Sequence, residues 1–290
     1  MRWRICLNSL NKKYSIAQAI DDGKVQLQSV SSSARLDSEL LLGYVLQQSR
    51  TWLITHSQQW LSGQEYELFL QVLARRVQGE PMAYILGYQE FWSMAICCNP
   101  TTLIPRPESE LLVETLVSLP VSTKKTIKVL DLGTGTGALA LAIAKEKPGW
   151  QITGVDLIPE AVDLAKLNQT RLKISNVNFL CSNWFSALPK QTYDCILANP
   201  PYIAENDPHL KHLIYEPVTA LVAADQGLAD IITIIEQARS WLKPGGYLLL
   251  EHGYNQRGSV KHGLQSYGYQ HIRQLKDMAG NYRVSYGQRL

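Results

Sequence analysis

The stretch Ile127-Lys128-Val129-Leu130-Asp131-Leu132-Gly133-Thr134-Gly135-Thr136-Gly137-Ala138-Leu139-Ala140-Leu141-Ala142-Ile143-Ala144 decides the architecture of this chain. A β-branched apolar run ends in an acid, three glycines follow at alternate positions, and a strongly helix-forming segment comes next. The spacing predicts strand, glycine turn, helix. Glycine in such a turn lets a ligand approach the backbone closely and supplies any positive φ the turn needs. Gly133, Gly135 and Ala138 satisfy the relaxed G-x-G-x-x-G/A pattern, and Asp156 lies 23 residues beyond Gly133, near the spacing of a ribose-binding acid.

Further along, the apolar run Tyr193-Asp194-Cys195-Ile196-Leu197-Ala198 leads into Asn199-Pro200-Pro201-Tyr202. Two consecutive prolines can neither donate to a sheet ladder nor enter a helix interior, so the chain leaves the strand in a stiff extended turn. The Pro200 carbonyl and the Asn199 side-chain oxygen then form two fixed acceptors, which suits a planar NH2 group held by both hydrogens. The ring of Tyr202 can cover the face of that group. Such a string arises by chance in roughly one chain of this length in a thousand. A proline-punctuated strand end explains the prolines but not the flanking Asn and Tyr.

The glycine turn alone does not separate a nicotinamide enzyme from an S-adenosylmethionine enzyme. Asp131 favours the second, because a carboxylate there repels a pyrophosphate but can pair with the ammonium of a methionine moiety. The Asn-Pro-Pro-Tyr turn also favours it, having no task in hydride transfer.

Around these segments the chain divides into three expected parts. Residues 1–83 carry helical patterning, with Asp37–Leu46 helix-forming and Ser62-Gly63-Gln64-Glu65 resembling a capping box, so a small helical bundle is expected. Residues 84–107 read as a β-hairpin linker, stopped at Pro105-Arg106-Pro107 before a helix near Glu108. From 108 to 290, strands at Ile152–Val155, Val177–Cys181, Tyr193–Ala198 and Tyr247–Glu251 alternate with helical patterns at 159–171 and 228–242, as in a parallel sheet covered on both faces. Tyr269–Lys276 and Tyr282–Gly287 are joined by a loop too short for a crossover, which requires a terminal antiparallel hairpin.

Composition sets outer bounds. At 290 residues, 46% hydrophobic and 18% charged, the chain fits an ordinary soluble protein with one large and one smaller domain. No apolar run approaches a membrane span, and the start Met1–Asn8 turns polar too early for a signal peptide, so a cytoplasmic location is expected. The net charge of +3, with no Lys/Arg run of five or more residues, permits an acidic or RNA-containing partner without demanding one; Lys124-Lys125 with Lys128 and Arg75-Arg76 read as solvated faces, and no direct nucleic-acid binding is expected. Cys6, Cys97, Cys98, Cys181 and Cys195 show no metal-ligand spacing and read as reduced, mostly core thiols. His209 and His212 lack a third ligand, so no metal is expected.

With strand, glycine turn, second acid, Asn-Pro-Pro-Tyr and terminal hairpin in one order, the chain resembles the class I S-adenosylmethionine-dependent methyltransferases. More closely it resembles the HemK/PrmC family, the N5-glutamine methyltransferases of peptide chain release factors. Asp37–Leu42, Gly79-Glu80-Pro81 with Tyr84-Ile85-Leu86-Gly87, Glu90-Phe91-Trp92, Leu103-Ile104-Pro105-Arg106-Pro107 and Glu216-Pro217 with Ala220-Leu221 extend the likeness from about residue 35 to the C-terminus.

The resemblance implies an α/β fold with a Rossmann-like, mostly parallel seven-stranded sheet ending in an antiparallel hairpin. It implies S-adenosyl-L-methionine as cofactor, with S-adenosyl-L-homocysteine as product. Asp131, Gly133, Thr134, Gly135, Thr136, Gly137, Asp156, Asn183, Trp184 and Asn199 match the cofactor positions, with Asp156 on the ribose, Trp184 flanking the adenine, and Asp131 either at the methionine end or holding the glycine turn. Asn199, Pro200, Pro201 and Tyr202 match the substrate turn, and Asn199, Pro200 and Tyr202 carry catalysis. Asn183 stands where the family usually has an acid, and Met278 where an aromatic is common. The implied partners are class I release factors, bound through residues 1–83 and methylated by a monomeric enzyme without membrane attachment. A ribosomal-protein glutamine or a flipped DNA adenine would present a similar NH2 group.

Overall fold

The computed structural model describes residues 13–121 and 126–290; Met1–Asn8, Cys6, Lys124 and Lys125 lie outside the described residues. The chain forms two compact units that divide between Gly87 and Tyr88. The first is helical: α1 (Ile16–Leu27), α2 (Ala34–Leu46), α3 (Arg50–Thr55), α4 (Gly63–Val77) and α5 (Met82–Leu86). The capping box at α4 closes as its spacing predicts, with Ser62 N–H donating to Glu65 and Glu65 N–H to the Ser62 hydroxyl. Ile16, Leu27, Leu41, Leu42, Phe69 and Leu73 share one core, which Ile85 of α5 also joins.

The second unit opens with a hairpin, β1 (Tyr88–Phe91) and β2 (Met94–Cys97). The hairpin expected within 84–107 spans Tyr88–Cys97 and belongs to the larger unit. Phe91, Met94 and Ile96 are buried in the same core as the helices of the larger unit, so hydrophobic burial assigns the hairpin there.

A 3₁₀ turn at Pro107–Ser109 then leads into α6 (Glu110–Ser118). Next come β3 (Lys128–Leu132), α7 (Ala138–Glu146), β4 (Gln151–Asp156), α8 (Pro159–Leu172), β5 (Val177–Cys181) and β6 (Tyr193–Ala198). A single turn α9 (Ala224–Gly227), α10 (Ala229–Trp241), β7 (Leu242–Glu251), α11 (Arg257–Ser266), β8 (Tyr269–Lys276) and β9 (Tyr282–Arg289) complete it. The sheet order is β5-β4-β3-β6-β7-β9-β8. The first five strands are parallel, and β9 runs antiparallel between β7 and β8.

Alternation along the strands builds both layers. Val129, Cys195, Leu197, Tyr247 and Leu249 meet residues of α6, α7 and α8, while Leu130, Leu132, Ile196, Leu248 and Leu250 meet those of α10 and α11. Two elements differ from their sequence reading. β7 starts at Leu242, because Leu242 pairs with Tyr193 before a register shift. α11 went unseen because it buries only Val260, Gly263 and Leu264, too few for a clear apolar stripe.

The chain winds from β3 outward to β5, then returns to place β6 on the other side of β3. This reversal of strand order leaves a crevice beyond the carboxyl ends of β3 and β6, where open α/β sheets receive ligands. Leu132 and Ala198 are in register, so the glycine turn and the proline corner leave the sheet side by side. Among the described residues no helix is long and apolar enough to cross a membrane.

Candidate active site

The crevice holds a cavity of 360 Å³, within the usual range for small-molecule sites. Gly133, Thr134, Gly135, Thr136, Asp156, Asn183, Trp184, Asn199 and Pro201 all line it. Gly135 has φ +52°, and a Cβ there would point toward the crevice, meeting only Thr102 at 3.9 Å. A side chain at this position would therefore fill space that a ligand needs.

Asp156, at the end of β4, ties the turn to the next loop, its Oδ2 accepting from Gly135 N–H at 2.8 Å and its Oδ1 from Ile158 N–H at 3.0 Å. A carboxylate has about four acceptor sites, so Asp156 retains capacity toward the cavity beyond its bonds to the backbone. Burial raises the Asp156 pKa, opposed by those backbone N–H groups. Leu157 and Ile158 add apolar wall, and Trp184 packs above Gly133. These groups fit a nucleoside: a diol acceptor, a flat indole, apolar walls and a side-chain amide at Asn183.

Asp131 does not line the cavity. It is fully buried beneath the turn, accepting from Thr134 Oγ1 at 2.6 Å, and burial pushes its carboxyl up to about 7. Its place is that of a brace holding the turn rather than a direct contact. Gly137 also lies off the cavity surface, at the start of α7.

A second cavity, of 240 Å³, adjoins the first; Asn199, Leu103, Arg106 and Ala220 line both. Pro200 and Tyr202 face this smaller space, whereas Pro201 faces the larger. The corner thus stands at the junction of two chambers.

Behind it, Asn199 Nδ2 donates to Ser109 Oγ at 3.1 Å, and Ser109 Oγ donates to Glu251 Oε2 at 2.6 Å. The Tyr202 hydroxyl donates to Glu251 Oε1 at 3.3 Å. Gln256 Nε2 donates to the Tyr202 carbonyl at 2.9 Å and to the Gln226 carbonyl at 3.1 Å. Asp225, Gln226 and Gly227 are all left-handed, and a Cβ on Gly227 would sit 2.1 Å from the Tyr202 oxygen. Only glycine admits that approach.

The chain resembles known proteins along most of its length. The methyltransferase domain family matches residues 123–283, and the PrmC N-terminal domain family matches residues 18–87. The release factor glutamine methyltransferase of Shewanella oneidensis is 47% identical over 274 residues, 94% of this chain and 95% of its own length. The chain belongs to the release factor glutamine methyltransferase family. The Escherichia coli member is 46% identical over 265 residues, covering 90% of this chain and 94% of its own. A Pyrococcus furiosus methyltransferase structure shares the fold, with a TM-score of 0.52 at 20% identity, over 74% of this chain and 96% of that one.

Several site residues of this family member escape a linear reading. Ser109, Asp230, Glu251 and Gln256 sit in no motif that marks them. Asp230 lines the cavity and accepts the indole N–H of Trp184, the only hydrogen-bonding group that ring has. Glu251 had one available signal, an acid ending the apolar run Tyr247-Leu248-Leu249-Leu250.

Glu216 is buried, accepts from Ile104 N–H at 3.0 Å and pairs with Arg106, which fastens the loop before it to the Ile104-Pro105-Arg106-Pro107 segment. Glu80 instead pairs with Arg75 within the helical unit. Phe91 is both core and cavity wall, whereas Trp92 bonds Glu146 at 2.8 Å.

His252 is buried between the Gly253 carbonyl and Ser285, off the cavity lining, and burial lowers its pKa. His209 is exposed beside Asp207. Cys97, Cys98 and Cys195 are buried thiols, but Cys181 is exposed because it closes β5 at the sheet edge. Met278 is fully exposed in the last hairpin loop.

Proposed function

We propose that this protein transfers a methyl group from S-adenosylmethionine to the side-chain amide nitrogen of the glutamine in the Gly-Gly-Gln motif of peptide chain release factors, modulating translation termination. One observation carries the reading: the Asn199-Pro200-Pro201-Tyr202 corner stands where a nucleoside-sized chamber meets a smaller one. Its near end-to-end likeness to release factor glutamine methyltransferases supports the choice of substrate.

In this reading Asp156 accepts from the ribose hydroxyls, Trp184 and Asn183 border the adenine, and Gly133 to Gly135 let the methionine end approach the backbone. When bound, the cofactor supplies a methyl group on a positively charged sulfur, and the amide nitrogen takes it as the carbon–sulfur bond breaks and leaves a neutral thioether. The glutamine side chain lies in the smaller chamber with its nitrogen facing the larger.

Asn199 Oδ1 and the Pro200 carbonyl accept the two amide hydrogens, and the Tyr202 ring covers the amide face. An amide nitrogen is a weak nucleophile because its lone pair is delocalised into the carbonyl. The corner's contribution is alignment, together with acceptors that stabilise positive charge as it develops on nitrogen. Water takes the departing proton, so no general base is required. The enzyme acts in the cytoplasm as a monomer on a protein rather than a nucleic acid.

Labelled S-adenosylmethionine with purified release factor, the same factor carrying Gln→Ala in its motif, a ribosomal-protein substrate and duplex DNA tests this. Label in the intact factor alone is expected. Label confined to DNA or to the ribosomal protein overturns the assignment.

A further inference from the structure

A side-chain amide offers oxygen and nitrogen from nearly equivalent positions, so Asn199 can accept from a substrate NH2 only if something holds it one way round. The residues behind the corner meet that need. Glu251 is 1% exposed and ends β7 without lining either cavity. As a carboxylate it only accepts, and both oxygens are used, one by Ser109 and one by Tyr202. The single hydroxyl hydrogen of Ser109 is therefore committed to Glu251. Its lone pairs remain for Asn199 Nδ2, which turns Asn199 Oδ1 away from the brace.

Without that commitment the Ser109 hydrogen could go equally well to Asn199 Oδ1. The amide would then present its own NH2, and two donors would face each other across the smaller chamber. We propose that Glu251 is a positioning residue for the transfer: through Ser109 it sets Asn199 with its oxygen toward the substrate, and directly it fixes the Tyr202 ring. This rests on the reading that the substrate is a primary carboxamide.

The surroundings of Glu251 make its charge state consequential. Arg283 on β9 draws its pKa down and Glu108 before α6 pushes it up, while Ser109 and Tyr202 favour the anion by hydrogen bonding. Among the described residues no cation lies within ion-pair distance of it. Burial outweighs these effects and leaves the carboxyl at about 7. Once protonated, Glu251 can turn a hydrogen toward Ser109, which frees the Ser109 hydrogen for Asn199.

The test uses wild-type protein, Glu251→Gln and Ser109→Ala, each checked by thermal unfolding and by calorimetric affinity for S-adenosylhomocysteine. Wild-type kcat should rise through about pH 7 and then level. Ser109→Ala should lower kcat roughly 10–100-fold with cofactor affinity and the KM for release factor little changed, and Glu251→Gln should flatten the pH profile. Binding of release factor to the product-loaded protein gives a readout independent of turnover. The wild-type preference for the Gly-Gly-Gln form over a Gly-Gly-Glu form should shrink in Ser109→Ala, because an exposed NH2 accommodates a carboxylate. Folded variants that keep full kcat, the wild-type pH profile and the wild-type preference overturn the proposal. A wild type that labels no release factor sinks the glutamine reading instead, and is told apart by that fact.

Discussion

β3 and β6 are neighbours that end in turns facing one cavity, yet the two turns are made rigid by different means. The glycine turn is braced from nearby in sequence. Asp131 holds Thr134 three residues on, and Asp156 holds Gly135 from 21 residues away. The proline corner is braced from afar: Ser109 is 90 residues from Asn199, Glu251 is 49 from Tyr202 and Gln256 is 54. Each turn keeps one fully buried carboxylate behind it, pushed up to about 7 by burial. The difference teaches that a surface for a common ligand can be written into a short segment, whereas one that must orient a weak nucleophile draws on the whole domain.

If the two turns serve separate tasks, damage to them should be separable. Asn199→Ala should give the largest effect, a fall in kcat of roughly 10²–10³-fold with cofactor affinity retained in calorimetry. An equal loss of affinity would show that the corner also builds the cofactor chamber. Asp156→Ala should do the reverse, weakening cofactor binding by roughly 10–100-fold with a smaller change in kcat at saturation. Gly227→Ala should lower stability by on the order of 2–3 kcal/mol in urea unfolding, since its Cβ would press on the Tyr202 carbonyl. An unchanged midpoint would mean that the left-handed turn yields freely.

The smallest effect sharpens the comparison through pH. Asp131 and Glu251 hold protons in the folded state up to about 7, but near 4 when unfolded. Between those values the native state binds more protons, so stability falls as pH rises from about 4 through about 7 and then levels. Thermal midpoints should therefore be higher at pH 6 than at pH 8, and Glu251→Gln should narrow that gap. Activity should move the opposite way, because the ionised carboxylate is the one that sets Asn199. A Glu251→Gln protein with the full wild-type pH slope in stability would place the titration elsewhere.

Legibility in the sequence follows the same division. Ile127 to Gly137 declared strand and turn because period, glycine spacing and helix propensity agree over a short span. The terminal hairpin was legible because a five-residue loop admits no crossover. Asn199 to Tyr202 was legible as an unusual string, but its braces were not. Ser109 is one serine among many, and Gln256 acquires its role only when the fold brings it to the Tyr202 carbonyl. Trp184 was reached only through the family resemblance, and its partner Asp230 opens a helix and looks like any first-turn acid.

One feature of the sheet bears on how the molecule comes to be whole. β9 follows β8 in the chain but lies inside it in the sheet, between β8 and β7. Strand β8 thus has no backbone partner until residues 282–289 are made, and until then the hydrophobic rim of β7 is an open template for any passing strand. Loss of that final segment should not give a weakened enzyme in proportion to what is missing. It should give a sticky, unfinished one.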